Sequence, residues 1–404
     1  MYYFNLGIVG TLFLAVIVLL IGRFLQHKIL FLQKFFIPSP VIGGIIISII
    51  LSILTYFNLL TLEFDITMQK QLMIAFFATV GFSASFKFLL KGGKAVILFL
   101  ICAITLVILQ NTLGVILALS MNQSYAFGIA TGSVSLTGGH GTSAAFSPLL
   151  SNLFSLANAT EITISAATFG LIAGSLLGGP IGRKLMKKYR LKPDVKTLKM
   201  AHVAPDLNEE KPLSISEKGI FHAVTAIVIA MTLGEMIAYY LNQIGFILPP
   251  YIGAMLAAAL IRNIADISQK IILEDHEITV IGNICLYLFL AMVLMSMNLI
   301  SLVDIALPML IILLAQVLLM ALFAYHVTFR IMGRNYDAAV LAVGHCGFGL
   351  GATPNAMANM EAFTNKNYPS PLAFFTIPIV GSLFIDFANA GIITGFLNFL
   401  KMIL

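Results

Sequence analysis

The sequence predicts an all-α polytopic membrane protein built as an inverted-topology repeat of two five-span halves, each carrying a re-entrant hairpin. Three observations predict it. Of 404 residues, 59% are hydrophobic and 10% charged, whereas soluble domains carry roughly 25% charged residues. Apolar runs recur from end to end, and a helix of about 17–25 such residues crosses lipid with every backbone group bonded internally. Two stretches, 125–148 and 336–360, are only moderately apolar and are broken by glycine-rich turns.

The first run, 5–22, lacks a basic region before it and a small-residue cleavage site after it, so it reads as a retained span. Spans follow at 41–59, 71–88, 95–119 and 162–182, then at 220–241, 251–264, 280–299, 306–328 and 372–400. The halves are 1–182 and 219–404, separated by a basic linker at 183–218. Cytoplasmic loops collect Lys and Arg. Arg23, Lys28 and Lys34 follow the first span and Lys87, Lys91 and Lys94 the third, whereas Glu63 and Asp65 follow the second. Both termini are therefore expected on the outer side and the linker in the cytoplasm, with 125–148 dipping in from outside and 336–360 from inside. This threading leaves only Lys70 and Lys401, of 23 Lys and Arg residues, on the outer side.

The halves resemble each other in order. IPSPVIGG (37–44) matches ILPPYIGA (247–254), LILQNTLG (107–114) matches LLAQVLLM (313–320), GGHGTSAA (138–145) matches CGFGLGAT (346–353), and GLIAGSL (170–176) matches IPIVGSL (377–383). Offsets stay between 206 and 210 residues. An odd number of spans per half turns the second copy upside down, the architecture of many secondary transporters. A duplicated scaffold with no transport role is the bland alternative.

Backbone that leaves the helix at membrane depth persists only where protein or a water-filled cavity satisfies it. Gly138, Gly139 and Gly141 in the first break, and Gly344, Gly347, Gly349 and Gly351 in the second, permit positive φ and close approach. Ser135, Thr137, Thr142, Ser143 and Thr353 add hydroxyls. Helix N-termini suit carboxylates, and carbonyls and hydroxyls suit sodium; the competing reading is close packing by small residues. No Lys or Arg lies within an expected membrane interior, so an anionic substrate needs a co-transported cation for charge balance. Asp386, one turn from Asn389, is expected as a sodium ligand, with Thr137 and Ser143, or as the partner of a substrate ammonium. His140 and His345 either bond substrate or pin their own broken backbone, the pin being favoured. Asn355 and Asn359, at i and i+4 after Pro354, suit the return arm of a hairpin. Gln110, Asn111 and Gln316 are expected to glue helices.

At AFFATVGF (75–82), SLTGGHGTSAAF (135–146), NATEI (158–162), NYDAAVLAVGHCGFGLGATPNAMANM (335–360) and IDFANA (385–390), the chain resembles the bacterial glutamate:Na⁺ symporter family. The resemblance covers nearly the whole chain. It implies sodium-coupled L-glutamate uptake across a bacterial inner membrane, by a homodimer of the elevator type in which a hairpin-bearing domain moves against a fixed scaffold. Carried over, the site comprises Thr137 to Thr142 and Gly347 to Thr353, with Asn359, Asp386 and Asn389 nearby. Ser143 and Asn355 depart from the family pattern, in which Gly and Thr are expected.

A sodium symporter for another carboxylate, such as citrate or malate, is the alternative. No HExxH or GxSxG occurs and neither His140 nor His345 has an acidic neighbour close in sequence, so no enzyme is expected. Sodium is the expected coupling ion, with no further cofactor and no nucleic-acid partner; the basic linker faces anionic lipid. Cys102, Cys285 and Cys346 lie in apolar stretches and read as inert thiols.

Overall fold

A computed structural model describes residues 2–57, 59–91, 93–192, 215–245, 248–269, 273–297, 302 and 305–403. In chain order the helices of the first half are α1 (Ile8–Lys28), α2 (Leu30–Lys34), α3 (Ser39–Tyr56), α4 (Thr67–Ser83), α5 (Phe86–Lys91), α6 (Gly93–Ser120), α7 (Tyr125–Ala130), α8 (Gly139–Phe154) and α9 (Ala159–Tyr189). Those that follow are α10 (Glu217–Gln243), α11 (Pro250–Ser268), α12 (Asp275–Met295), α13 (Ala306–Ile331), α14 (Tyr336–Gly349), α15 (Thr353–Thr364), α16 (Pro371–Ile379) and α17 (Ile385–Ile403). A π-helical turn, Val380–Phe384, joins α16 to α17, and another, Ala324–Thr328, lies within α13. Most of the linker, 193–214, lies outside the described residues, as do Lys270 and Asp304.

Eight of the ten expected spans, α1, α3, α6 and α9 to α13, are long and apolar enough to cross a membrane. The other two are α4, of 17 residues, and the α16–α17 rod divided by its π turn. Several helices overrun their apolar runs. α9 continues to Tyr189 because Lys184 and Lys188 are good helix formers that lay their ammonium groups 5.3 and 5.4 Å from the centre of the Tyr325 ring. All three cysteines are buried and free.

The all-α expectation needs one correction. β1 (Tyr2–Leu6) and β2 (Leu60–Phe64) form a two-stranded parallel ribbon in the register Tyr2↔Leu60 to Leu6↔Phe64. Two extended segments flanking α1 and α3 at one end of the molecule pair backbone groups that would otherwise lack partners. Where the chain leaves β2, Asp65 accepts the Thr67 N–H at 2.8 Å; this bond and the Thr67 hydroxyl hold its carboxyl below the usual range.

The helices pack as two groups. α1, α3, α4, α10, α11 and α12 form one, and α6 to α9 with α13 to α17 the other, so each draws on both ends of the chain. The repeated IPSP and ILPP segments do the same local job: proline opens α3 and α11 within the first turn, where no intrahelical N–H bond is lost. Shortly after, Gly43 rests on the Val18 carbonyl of α1 and Gly253 on the Gly234 carbonyl of α10, contacts that a Cβ would obstruct.

The first group is clamped at one end. Arg262, 7% exposed, pairs with Asp266 at 3.3 Å and with Asp275 at the start of α12. Ser85 bonds Asp266, while the Asn263 amide donates to the Ala84 carbonyl at 2.8 Å and accepts the Phe86 N–H at 2.9 Å. Removing one partner of a buried ion pair leaves an uncompensated charge. Arg262→Met is therefore expected to destabilise the protein by about 3 kcal/mol, read as a lower Tm in detergent; an unchanged Tm would show the clamp to be dispensable.

Candidate functional site

The first break begins after α7, whose N-terminus is capped by Ser124 accepting the Phe127 N–H at 3.2 Å. Residues 131–138 are non-helical turns, and α8 restarts at Gly139, whose φ of +60° favours glycine. The second break is shorter. α14 runs to Gly349, residues 350–352 leave the helix, and α15 starts at Thr353. The first hairpin thus loses its helix upstream of the glycine cluster, and Gly344, Gly347 and Gly349 are helical. Gly347 lies under the Ala356 backbone, so its role is close approach of the two arms.

Helix α9 orders the two hairpins. Along its first part, Ser147 meets Thr160 (3.0 Å), Ser143 meets the Thr163 carbonyl (3.2 Å) and His140 meets Thr168 (3.0 Å). Along its second part, Gly170 packs on Leu350, Gly174 on Cys346, Gly178 on Val343 and Gly182 on Phe363. The hairpins therefore approach from opposite ends of α9 and meet tip to tip near Thr168 and Gly170. Contact is direct: a Cβ at Gly139 would lie 3.2 Å from the Gly351 carbonyl. The return arms α8 and α15 both begin at this point, so two helix N-termini, each with unpaired N–H groups and partial positive charge, converge there.

Buried amides stitch the tips. Gln110 of α6, fully buried, donates to the Gly349 carbonyl (2.7 Å) and accepts the Thr137 hydroxyl (2.7 Å), while Gln316 of α13 donates to the Gln110 carbonyl (2.7 Å). Asn111 accepts the Ser133 N–H at 3.0 Å, and Asn389 of α17 donates to the Ser133 carbonyl at 3.1 Å. These residues join helices as expected, but by bonding broken backbone. The last rod touches both hairpins, since Gly381 backs the Thr353 hydroxyl and Asn389 reaches Ser133. Asp386 lies between those contacts, partly exposed, and no hydrogen bond or ion pair to it is found among the described residues.

Other expected site residues face away from the meeting point. His345 is fully buried, stacked on Phe348 at 5.0 Å, with Nδ1 at 2.8 Å from the Thr328 hydroxyl of the α13 π turn. Asn355 donates to the Leu171 carbonyl (2.9 Å) and Asn359 to the Gly174 carbonyl (2.9 Å), which fastens α15 to α9. Ser135 donates to the Ala130 carbonyl and sits 3.4 Å from Ser143. The Thr168 hydroxyl gives its hydrogen to the Ile164 carbonyl (2.9 Å), so it accepts from His140, which is thereby assigned the Nε2–H tautomer. His140 thus fastens the start of α8 to α9 and not to its own broken backbone. Gly141 sits at the contact with the first group, its Cβ position 3.4 Å from Phe76 and 3.5 Å from Leu286. Thr137, Gly138, Gly139, Thr142, Gly351 and Thr353 remain at or beside the tips. The glycines of α9 are absent from the sequence-derived site, although their four-residue spacing was the visible signal.

Apolar spanning helices around two broken ones whose polar tips meet inside the protein define a polytopic membrane carrier. The chain matches the sodium/glutamate symporter family over residues 4–369. It is 41% identical over 393 residues to a sodium/glutamate symporter of Escherichia coli K12, covering 96% of this chain and 97% of the relative. It is 38% identical over 388 residues to one of Haemophilus influenzae, covering 95% of each. The chain belongs to the sodium/glutamate symporter family. Among solved structures, a sodium proton antiporter of Methanocaldococcus jannaschii aligns with a TM-score of 0.44 and 11% identity, covering 97% of this chain and 98% of that one.

Proposed function

We propose that this protein takes up L-glutamate with sodium by alternating access, binding both where the two hairpin tips meet. The observation that carries the reading is the convergence of two half-helix N-termini on one buried point, at Gly139 and Gly351. Partial positive charges there suit the substrate carboxylates. Thr137, Gly139, Thr142 and Thr353 contact glutamate. Asp386 and Asn389 lie on the sodium side, while Ser143, His345, Asn355 and Asn359 hold the hairpins in place.

The halves 1–182 and 219–404 are inverted copies joined by a cytoplasmic linker, both termini are periplasmic, and the protein is a homodimer in a bacterial inner membrane. The hairpin-bearing group of helices slides as an elevator against the group of α1, α3, α4 and α10 to α12. Their contact, with Phe76 and Leu286 against Gly141, is apolar and suits sliding. Family membership gives no support to the citrate or malate alternative.

Purified protein in liposomes should accumulate radiolabelled L-glutamate when an inward sodium gradient is imposed, and unlabelled citrate or malate should not compete. Equal uptake with choline replacing sodium at fixed pH would overturn the reading.

A further inference from the structure

Many hydroxyls in these spans satisfy themselves by donating back one turn, as Thr105 does to Ile101 (2.8 Å), Thr112 to Ile108 (2.8 Å), Thr225 to Phe221 (2.7 Å) and Thr232 to Val228 (3.0 Å). Ser133 does not. Its residue is fully buried in the unwound stretch of the first hairpin, and its Oγ is without a hydrogen-bond partner among the described residues. The same holds for Oδ1 of Asn389, also fully buried, whose Nδ2 is bonded to the Ser133 carbonyl. Two unsatisfied oxygens therefore sit on one locked pair of residues. A third unsatisfied atom, Nδ2 of Asn111, belongs to the amide that holds the Ser133 N–H.

Buried polar atoms without partners are disfavoured, and a cluster of them in a native protein calls for a partner from outside the chain, an ion or a buried water. A hydroxyl and an amide carbonyl beside unwound main chain are hard oxygen ligands, the kind that alkali and alkaline-earth cations take. Among the described residues no group of three His, Cys, Asp or Glu is placed to hold a metal, so the donors suit a monovalent ion better than a divalent one. Asp386, three residues before Asn389 on the same helix, supplies negative charge nearby. The Asn111 Nδ2 is a donor and does not ligate.

We infer that Ser133 Oγ and Asn389 Oδ1 together ligate a sodium ion, so that Ser133, rather than Thr137 or Ser143, is the hydroxyl of a coupling-ion site. Thr137 and Ser143 already have partners, Gln110 and Thr163. This inference rests on the sodium-coupled reading above and adds the residue that reads the ion. The bond from Asn389 to the Ser133 carbonyl holds the amide beside the unwound stretch before the ion arrives.

The test is Ser133→Ala, chosen because it removes an atom that no protein group uses. In choline buffer the variant should keep or exceed the wild-type Tm, which shows that it folds. Sodium titrated without glutamate should raise the wild-type Tm; in Ser133→Ala that rise should vanish, and the sodium concentration for half-maximal glutamate uptake should increase at least tenfold. An unchanged sodium response in Ser133→Ala overturns the site, and is the result expected if a buried water bridges the three atoms instead. Loss of Tm in choline buffer also overturns it, since Oγ would then be a structural partner. If the wild type itself shows no sodium response, the sodium-coupled reading fails, and that outcome is separate.

Discussion

Asp386→Asn should lower sodium-driven glutamate uptake roughly 100-fold, a loss of about 2.7 kcal/mol. The carboxylate lies on α17 between the contact of Gly381 with Thr353 and the bond of Asn389 to Ser133. Ionisable groups inside a membrane protein are costly and persist where they serve ions or substrates. The substitution keeps shape and removes one negative charge, so the fold should survive while charge balance for the ion is lost. Initial rates of uptake at several sodium concentrations, with Tm as a control for folding, read this directly. Wild-type rates with an unshifted sodium dependence would remove Asp386 from the site.

Gly170→Val should be among the most disruptive single changes in α9. A Cβ there would run into the Leu350 carbonyl and approach Leu136 Cδ2 to 2.9 Å, so one new atom would press on both hairpins. A flexible side chain can move aside, but main chain in a stitched tip cannot. Overpacking of this kind costs about 3 kcal/mol or more. Gly179→Ala is the matched control, because a Cβ at Gly179 meets nothing within 4 Å and alanine favours a helix by about 1 kcal/mol over glycine. Thermal stability in detergent should fall for the first and hold or rise for the second. Equal stabilities would show that the hairpin does not need α9 at this distance.

The spans were legible because apolar runs long enough to cross lipid leave few alternatives. The hairpins were legible too, since glycines and hydroxyls interrupted the runs at 135–145 and 344–353. Where each helix breaks was not. Gly344, Gly347 and Gly349 suggested irregular backbone, yet the chain stays helical through them because α15 and the Gln110 amide supply the contacts. The first break falls at 131–138 because Asn111, Gln110 and Asn389, distant in sequence, bond its peptide groups and hydroxyl. Such bonds have no local signature. Ser133 was invisible for a related reason: a serine in a membrane helix ordinarily bonds its own preceding turn, and that Ser133 makes no such bond shows only in three dimensions. The β1–β2 ribbon was hidden by the run 5–22, which absorbed its last residues into the first span.

The rod formed by α16 and α17 touches the tip of one hairpin through Gly381 and the unwound strand of the other through Asn389. A body that leans on both cannot adjust to one occupant without changing the fit for the second. Thermodynamic reciprocity then sets a quantitative demand: whatever factor saturating sodium contributes to glutamate affinity, saturating glutamate must return to sodium affinity.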